Sequence, residues 1–353
     1  MEAYFDNAAT TKVFPEVKDL VVKLMEEDYG NPSSLHQKGL DAGHYIKETK
    51  EILAKEWKVD SKEIVLTSGG TESNNLALIG AALANKRSGN RIITSKVEHA
   101  SVSSTMAFLE SLGFEVVYLN VDHQGIVDLE QLEQEVNEDT ILVSVMYVNN
   151  EIGAVEPIQE IAEIIKEKNP KTLFHVDAIQ AFGKYHIYPK RMGIDLMSVS
   201  GHKIHGPKGT GALFIKNRTK VKPIIYGGGQ QDGMRSGTEN VPGFAGFGLA
   251  TKIVYEDLEA RIVRMRAVKD RLTERLKTLP DVYINEGEAP HILSVSFVGV
   301  RSEVMLHALE EREIYVSSGS ACSSNKPAVS HVLSSIGLQK NRLDSTIRFS
   351  FSA

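Results

Sequence analysis

Cysteine is nearly missing from this chain: Cys322 is the only one in 353 residues. One cysteine permits no intramolecular disulfide and no cysteine cluster around a metal. Positive charge is not in excess, because 40 Lys and Arg face 46 Asp and Glu for a net charge of −6. With no Lys/Arg block besides, that balance argues against nucleic acid as the main partner. No uninterrupted apolar run reaches the ~18 residues of a membrane helix. Met1-Glu2-Ala3-Tyr4-Phe5-Asp6 lacks the basic start and apolar stretch of a signal peptide. A cytoplasmic protein with no membrane partner is expected. Internal repeats, low-complexity tracts and linkers are missing too. What remains is ordinary globular material, 42% hydrophobic and 24% charged. At ~150 residues per domain, the length suggests two domains.

Short β-rich runs alternate with longer amphipathic stretches. Strands are predicted at Glu63–Thr67, Arg91–Ser95, Glu115–Leu119, Ile141–Met146, Leu173–Val176, Asp195–Ser198 and Ala212–Ile215. Helices are predicted at about Glu72–Asn85, Ser101–Leu112, Leu129–Val136 and Ile158–Lys168. Such alternation reads as an α/β fold around a mostly parallel sheet with helices on both faces. A long helical pattern follows at about Gly243–Leu279, with the boundary between two units placed near Asp257–Arg261. Beyond it, strand patterns (Tyr283–Ile284, Leu293–Phe297, Thr346–Phe351) and helical ones (Ser302–Glu311, Ala328–Ile336) describe a smaller α+β unit.

Three segments carry candidate chemistry. In Thr67-Ser68-Gly69-Gly70-Thr71-Glu72, a strand ends in small residues and a helix begins at once. That turn exposes backbone N–H groups and the positive end of a helix dipole, which suits a phosphate; it also reads as a plain Thr-capped turn. No Gly-Lys-Ser/Thr follows, so it is not a Walker loop. In Ser198-Val199-Ser200-Gly201-His202-Lys203-Ile204-His205-Gly206-Pro207-Lys208-Gly209, Lys203 follows a strand where α/β folds bind ligands. A confined lysine there can form a Schiff base; otherwise it is a solvated turn residue. His202 and His205 have no carboxylate or third ligand beside them, so they are read as hydrogen-bonding groups and no metal is expected. In Phe174-His175-Val176-Asp177-Ala178-Ile179-Gln180, Asp177 ends an apolar strand. It either caps the next helix or holds a pyridinium nitrogen protonated, with Gln180 in reach of the same ligand. A phosphate cradle, a Schiff-base lysine and a pyridinium-facing carboxylate are what pyridoxal phosphate requires.

Cys322 lies in Ser317-Ser318-Gly319-Ser320-Ala321-Cys322-Ser323-Ser324-Asn325-Lys326-Pro327, a polar stretch without hydrophobic periodicity that reads as an exposed loop. An exposed loop cysteine is a candidate nucleophile, with Lys326 available to favour its thiolate.

With these residues in view, the chain resembles the NifS/IscS-like cysteine desulfurases, class V aminotransferases among the fold type I pyridoxal phosphate enzymes. The resemblance runs from Tyr4-Phe5-Asp6-Asn7-Ala8-Ala9-Thr10-Thr11 to Ile347-Arg348-Phe349-Ser350. It passes through Tyr29–Ser34, Thr67–Asn75, Glu98-His99, Val148–Gly153, His175–Gln180, Ser200–Gly209 and Gly227–Asn240 to Ser317–Cys322. It implies a large pyridoxal phosphate domain (16–257) on a seven-stranded sheet, and a small α+β domain (1–15 and 258–353). It implies that Lys203 holds the cofactor, Asp177 pairs with the ring nitrogen, Gln180 with the ring hydroxyl, and His99 stacks on the ring and serves as an acid or base. Gly70, Thr71, Ser200 and His202 would hold the phosphate, joined by Thr238 from the other subunit of a homodimer. Asn150, among the cofactor-binding residues, and Arg348 would bind the carboxylate of L-cysteine. Sulfur would pass to Cys322 as a persulfide, leaving alanine. A sulfur-acceptor or scaffold protein would then receive it for iron–sulfur cluster assembly or thiolation. Family members continue past the Arg348 strand through a further helix, which this sequence does not contain. The competing readings are a selenocysteine lyase, a class V aminotransferase, for which Cys322 would be dispensable, and an inactive sulfur-carrier or assembly partner.

Overall fold

The computed structural model describes residues 2–285, 287–318 and 330–353. Cys322, Lys326 and the start of the Ala328–Ile336 pattern lie outside the described residues. The chain opens with strand β1 (Ala3–Tyr4) and helices α1 (Pro15–Glu26) and α2 (Gln37–Trp57). The alternating part follows: β2 (Ile64–Thr67), α3 (Gly70–Asn85), β3 (Arg91–Ser95), α4 (Ala100–Ser111), β4 (Glu115–Leu119), α5 (Leu129–Glu135), β5 (Thr140–Met146), α6 (Ile158–Lys168), β6 (Leu173–Asp177), β7 (Leu196–Ser200) and β8 (Gly211–Ile215). Then come α7 (Val241–Glu256), α8 (Leu258–Leu276), β9 (Val282–Asn285), β10 (Ile292–Phe297), α9 (Ser302–Glu310), β11 (Ile314–Tyr315), β12 (Ser317–Ser318), α10 (His331–Ser335), α11 (Lys340–Leu343) and β13 (Thr346–Ser350).

Seven strands form one sheet in the order β2-β8-β7-β6-β5-β3-β4. All run parallel except β8, which is antiparallel to both neighbours. Every residue of β5 and β7 is buried, as expected where helices cover both sheet faces. Phe174, Val176, Val143 and Val145 join Trp57, Phe182 and Phe247 in the main core. Leu142 and Ile92 face α3 and α4 in a second one. The seven predicted strands all form, with ends that shift by up to two residues.

Two departures have physical causes. The stretch read as one helix over Gly243–Leu279 is two, broken at Asp257, whose φ of −130° and ψ of 27° leave the helical region. Helix α7 is apolar and buries ten residues, whereas α8 buries only Leu258 and Met265, so the two serve different cores and the axis must turn. Helices α1 and α2, which the alternating pattern does not announce, pack on α7. Glycines at 39 and 43 blur the periodicity of α2, and a Cβ on Gly39 would sit 2.1 Å from the Ser34 carbonyl.

A four-stranded antiparallel sheet, β12-β13-β10-β9, forms beyond α8. Leu293, Val295, Ile347 and Phe349 bury against Met265 of α8 in a core of their own. Strand β1 pairs in parallel with β11. From there the chain runs between the two sheets: Ala8 N–H donates to Ser350 Oγ at 2.8 Å and Thr11 N–H to the His202 carbonyl at 2.9 Å.

Candidate active site

The parallel strands β3, β5, β6 and β7 end side by side, with β2 beyond the antiparallel β8, and a cavity of about 280 Å³ opens at their carboxyl edge. Its lining brings together Gly70, Thr71, His99, Asn150, Asp177, Gln180, Ser200, His202, Lys203 and Arg348. These are the predicted site residues with two exceptions. Thr238 is exposed and outside this lining, and Cys322 lies outside the described residues.

Asp177 ends β6 and is 4% exposed. Its Oδ1 accepts from Ile179 N–H at 3.0 Å and its Oδ2 from Asn74 Nδ2 at 2.7 Å. Burial pushes its carboxyl up from the ordinary range, against the pull of His99, the Ile179 and Asn74 donors and Lys203. Asn74 also donates to Ser101 Oγ at 2.9 Å, and Ser101 Oγ lies 2.8 Å from His99 Nδ1. One network therefore joins Asp177 to His99. Ser101 N–H donates to the same Nδ1 at 3.1 Å, which leaves the ring proton on Nε2. Burial holds His99 below its usual pKa, aided by Lys203 and His331 and opposed by Asp177, so the ring is neutral.

Lys203 closes a tight turn after β7 and is half-buried. Its Nζ donates to the carbonyls of Ala8 and Ala9 at 2.6 and 2.7 Å. Gln180 is anchored by protein at both ends of its amide, Nε2 donating to the Ala8 carbonyl and Oε1 lying 3.3 Å from His291 Nε2, and each end keeps a further hydrogen-bonding position. At the start of α3, Gly69 has φ +149°, where glycine is favoured, and no side chain caps the helix. A Cβ on Gly70 would lie 2.1 Å from Ile179 Cδ1. The uncapped first turn thus stays open for an anion, beside Ser68, Thr71, Ser200, His202 and Lys208 in an adjoining opening. His202 is pushed down to about 4 by burial and by Lys203, Lys208 and Lys184, so it meets an anion as a neutral ring.

Arg348 lies inside β13 and is 5% exposed. Its Nη2 donates to Asp6 Oδ1 and its Nη1 to the Asn150 carbonyl, both at 2.8 Å. Its Nε is buried without an acceptor among the described residues. Asn149 shapes the turn that presents Asn150, accepting from Glu151 and Ile152 N–H groups and donating to the Val97 carbonyl. The Cys322 segment leaves from β12, where Ser317 sits opposite Arg348. The described chain resumes at Ser330, which donates to Glu151, and His331, whose Nε2 lies 3.0 Å from the Glu98 carbonyl.

Sequence reasoning assigns no role to Asn74 and Ser101, the links between His99 and Asp177, nor to the Ala8 and Ala9 carbonyls. Asn74 lies within the quoted Thr67–Asn75 run, but nothing local marks it as buried. Carbonyl oxygens carry no residue identity and leave no signal. No group of three or more His, Cys, Asp or Glu fit for a metal occurs among the described residues. The donor set fits pyridoxal phosphate: an uncapped helix start with hydroxyls for a phosphate, a buried carboxylate for a ring nitrogen, and an amine for an aldehyde.

The aminotransferase class-V family profile matches residues 3–353. A cysteine desulfurase IscS of Dictyoglomus turgidum is 43% identical over 99% of this chain and 89% of its own length. A cysteine desulfurase IscS of Methanosarcina thermophila is 42% identical, over 98% of this chain and 86% of its own. Among solved structures, a NifS-like protein superposes with a TM-score of 0.94 at 38% identity, covering 100% of this chain and 94% of that one. SspA in complex with cysteine superposes with a TM-score of 0.86 at 34% identity, covering 99% of each chain.

Proposed function

The chain belongs to the class-V aminotransferase family, and from that premise we infer that it is a cysteine desulfurase that takes the sulfur of L-cysteine and releases L-alanine. The observation that carries this reading is the convergence of Lys203, Asp177, a neutral His99 and Arg348 on one cavity, in a chain 43% identical to a cysteine desulfurase. Members of this family depend on pyridoxal phosphate, and the residues that would hold it here are Lys203, Asp177, His99, Gln180, Asn150, Gly70, Thr71, Ser200 and His202. When bound, the cofactor would supply an electron sink for the carbon that loses its proton.

The chain's own residues do the rest. The Arg348 guanidinium and Asn150 orient the substrate carboxylate, the former through a charge-assisted contact. The Lys203 amine moves the Cα proton, and the neutral His99 exchanges one at Nε2. The Cys322 thiolate attacks the substrate sulfur; the C–S bond breaks, an S–S bond forms, and the substrate carbon takes a proton. L-Cysteine and one thiol thus become L-alanine and one persulfide, with no outside oxidant. Ser317 opposite Arg348, and Ser330 and His331 on Glu151 and Glu98, support this role because both ends of the Cys322 segment rest on neighbours of the site.

The two cores support a large unit of residues 16–257 and a small one of 1–15 and 258–353. A homodimer, to which Thr238 contributes across the interface, is supported by its exposure and by the exposed Met25, Tyr29, Leu35 and Tyr226. The acceptor is a partner protein in iron–sulfur cluster assembly or thiolation, in a cytoplasm that keeps the single thiol reduced.

The test incubates the purified protein with pyridoxal phosphate, L-cysteine and a thiol reductant, and quantifies alanine and sulfide together. Equal amounts are expected. Pyruvate with sulfide would replace this reading with β-elimination, and release confined to selenocysteine would make it a lyase for that substrate. Cys322→Ala is expected to retain the cofactor and lose the persulfide; full sulfur release by that variant would refute the nucleophile.

A further inference from the structure

Lys184 is 8% exposed, an unusual state for a lysine, and plays no part in the chemistry above. Gly183 directs it inward, with φ +74° and a Cβ position only 2.6 Å from Ile204 Cγ2, so no other residue fits there. Tyr255 fixes the same turn by accepting from Gly183 N–H at 3.2 Å. The Lys184 Nζ then donates to the main-chain carbonyl of Lys203 at 2.6 Å. A buried ammonium normally faces a carboxylate, because desolvation is costly. Here the charged group that acts on it is another cation, Lys203 just past β7. Lys184 in turn acts on His202, His205 and His291, and Arg261 of α8 lines the same small cavity.

We propose that Lys184 is a positioning residue for Lys203, clamping its main-chain carbonyl and, as a second buried cation beside it, disfavouring the protonated form of the Lys203 amine. A lysine acts as nucleophile or base only when neutral, and a neighbouring cation is one established way to make it so. Burial and Lys203 together push the Lys184 ammonium down to about 7. Lys203 also faces Asp177 and His99 across the cavity, and because the repulsion between the two amines is mutual, their proton losses are coupled. The inference rests on Lys203 as the reacting amine, not on the identity of the substrate.

The test labels amines of the cofactor-free full chain with an acylating reagent across pH and reads modification of Lys203 by mass spectrometry. Three variants are compared with the unaltered chain: Lys184→Met, which removes charge and clamp; Lys184→Gln, which keeps a donor but no charge; and Lys184→Arg, which keeps the charge. The midpoint of Lys203 labelling is expected to rise by about one pH unit in the Met and Gln variants and to stay low in Arg. The pH profile of alanine formation should move in the same direction with KM for L-cysteine unchanged. An unmoved midpoint in whichever neutral variant folds would overturn the proposal. Because labelling needs no L-cysteine, a chain that failed to desulfurate would still show whether Lys184 shifts the titration of Lys203.

Discussion

The two walls of the cavity are built on opposite plans. On the side of the seven-stranded sheet, the polar groups sit where strands end: Asp177 closes β6, Ser200 closes β7, and His99 caps α4 just past β3. There the backbone turns away from its ladder, and polar side chains reach the opening without breaking sheet pairing. On the side of the four-stranded sheet, Arg348 lies mid-strand in β13, all of whose residues are buried. A charge inside a sheet must be matched, and its partners are Asp6 and the Asn150 carbonyl, 342 and 198 residues away in sequence. The polar groups of the first wall stand on local turns, although Asn74 and Ala8 brace Asp177 and Lys203 from farther along the chain, while the second exists only when distant parts of the chain meet. On the proposed reading, Lys203 and His99 act from the first wall, while the second binds the substrate carboxylate and leads through β12 into the segment that bears Cys322.

Lys203→Ala tests the first wall most severely. Alanine formation is expected to fall by roughly 10³-fold or more, while thermal unfolding changes little, because Lys203 lies on a turn. Survival of activity would break the division of labour. Arg348→Gln tests the second wall. It leaves Asp6 without its cation and should raise KM for L-cysteine about 10- to 100-fold, with a loss of about 2 kcal/mol in unfolding free energy. A change in kcat alone would place Arg348 in the chemistry instead.

Glu98 sharpens the comparison from beneath. It is 1% exposed, accepts from Ser95 Oγ and Met146 N–H, and burial pushes its carboxyl up to about 8. Its folded value lies above the unfolded one, so between about pH 4.5 and 8 the folded chain binds the extra proton and stability falls as pH rises. Glu98→Gln should remove this slope and leave the variant about 1–2 kcal/mol more stable than the unaltered chain at pH 8, by chemical denaturation. A parallel pH dependence in both would mean that Glu98 is charged in the fold. The smallest effect is expected from Asn74→Ala, which unlinks Asp177 from His99 at a cost of about 1 kcal/mol and weakens cofactor retention about tenfold. Unchanged retention would show that the Ile179 N–H alone fixes the carboxylate.

The same contrast governs what can be read before folding. The first wall is legible: apolar strands running into Gly- and Ser-rich turns mark Gly70, Thr71, Asp177 and Lys203 by local pattern. The second wall is not. Arg348 stands in Thr346-Ile347-Arg348-Phe349-Ser350 like any strand residue, and only family likeness singles it out. His99 likewise gives no local sign, because its neutrality comes from burial against segments remote in sequence. The break at Asp257 is invisible for a related reason: helical periodicity continues through it, and only the two cores it serves force the turn.

The strip from Asp6 to Thr11 has a consequence for how the protein is made. Lys203 and Gln180 reach back to Ala8, and Ser350 holds the Ala8 amide across 342 positions. At 5–20 residues per second, translation separates Ala8 from those partners by roughly 9–70 s, Ser350 coming last. During that interval the first residues of the site gain their partners one at a time, Gln180 and Lys203 before Ser350. The cavity is therefore complete around Ala8 only after β13 has been made.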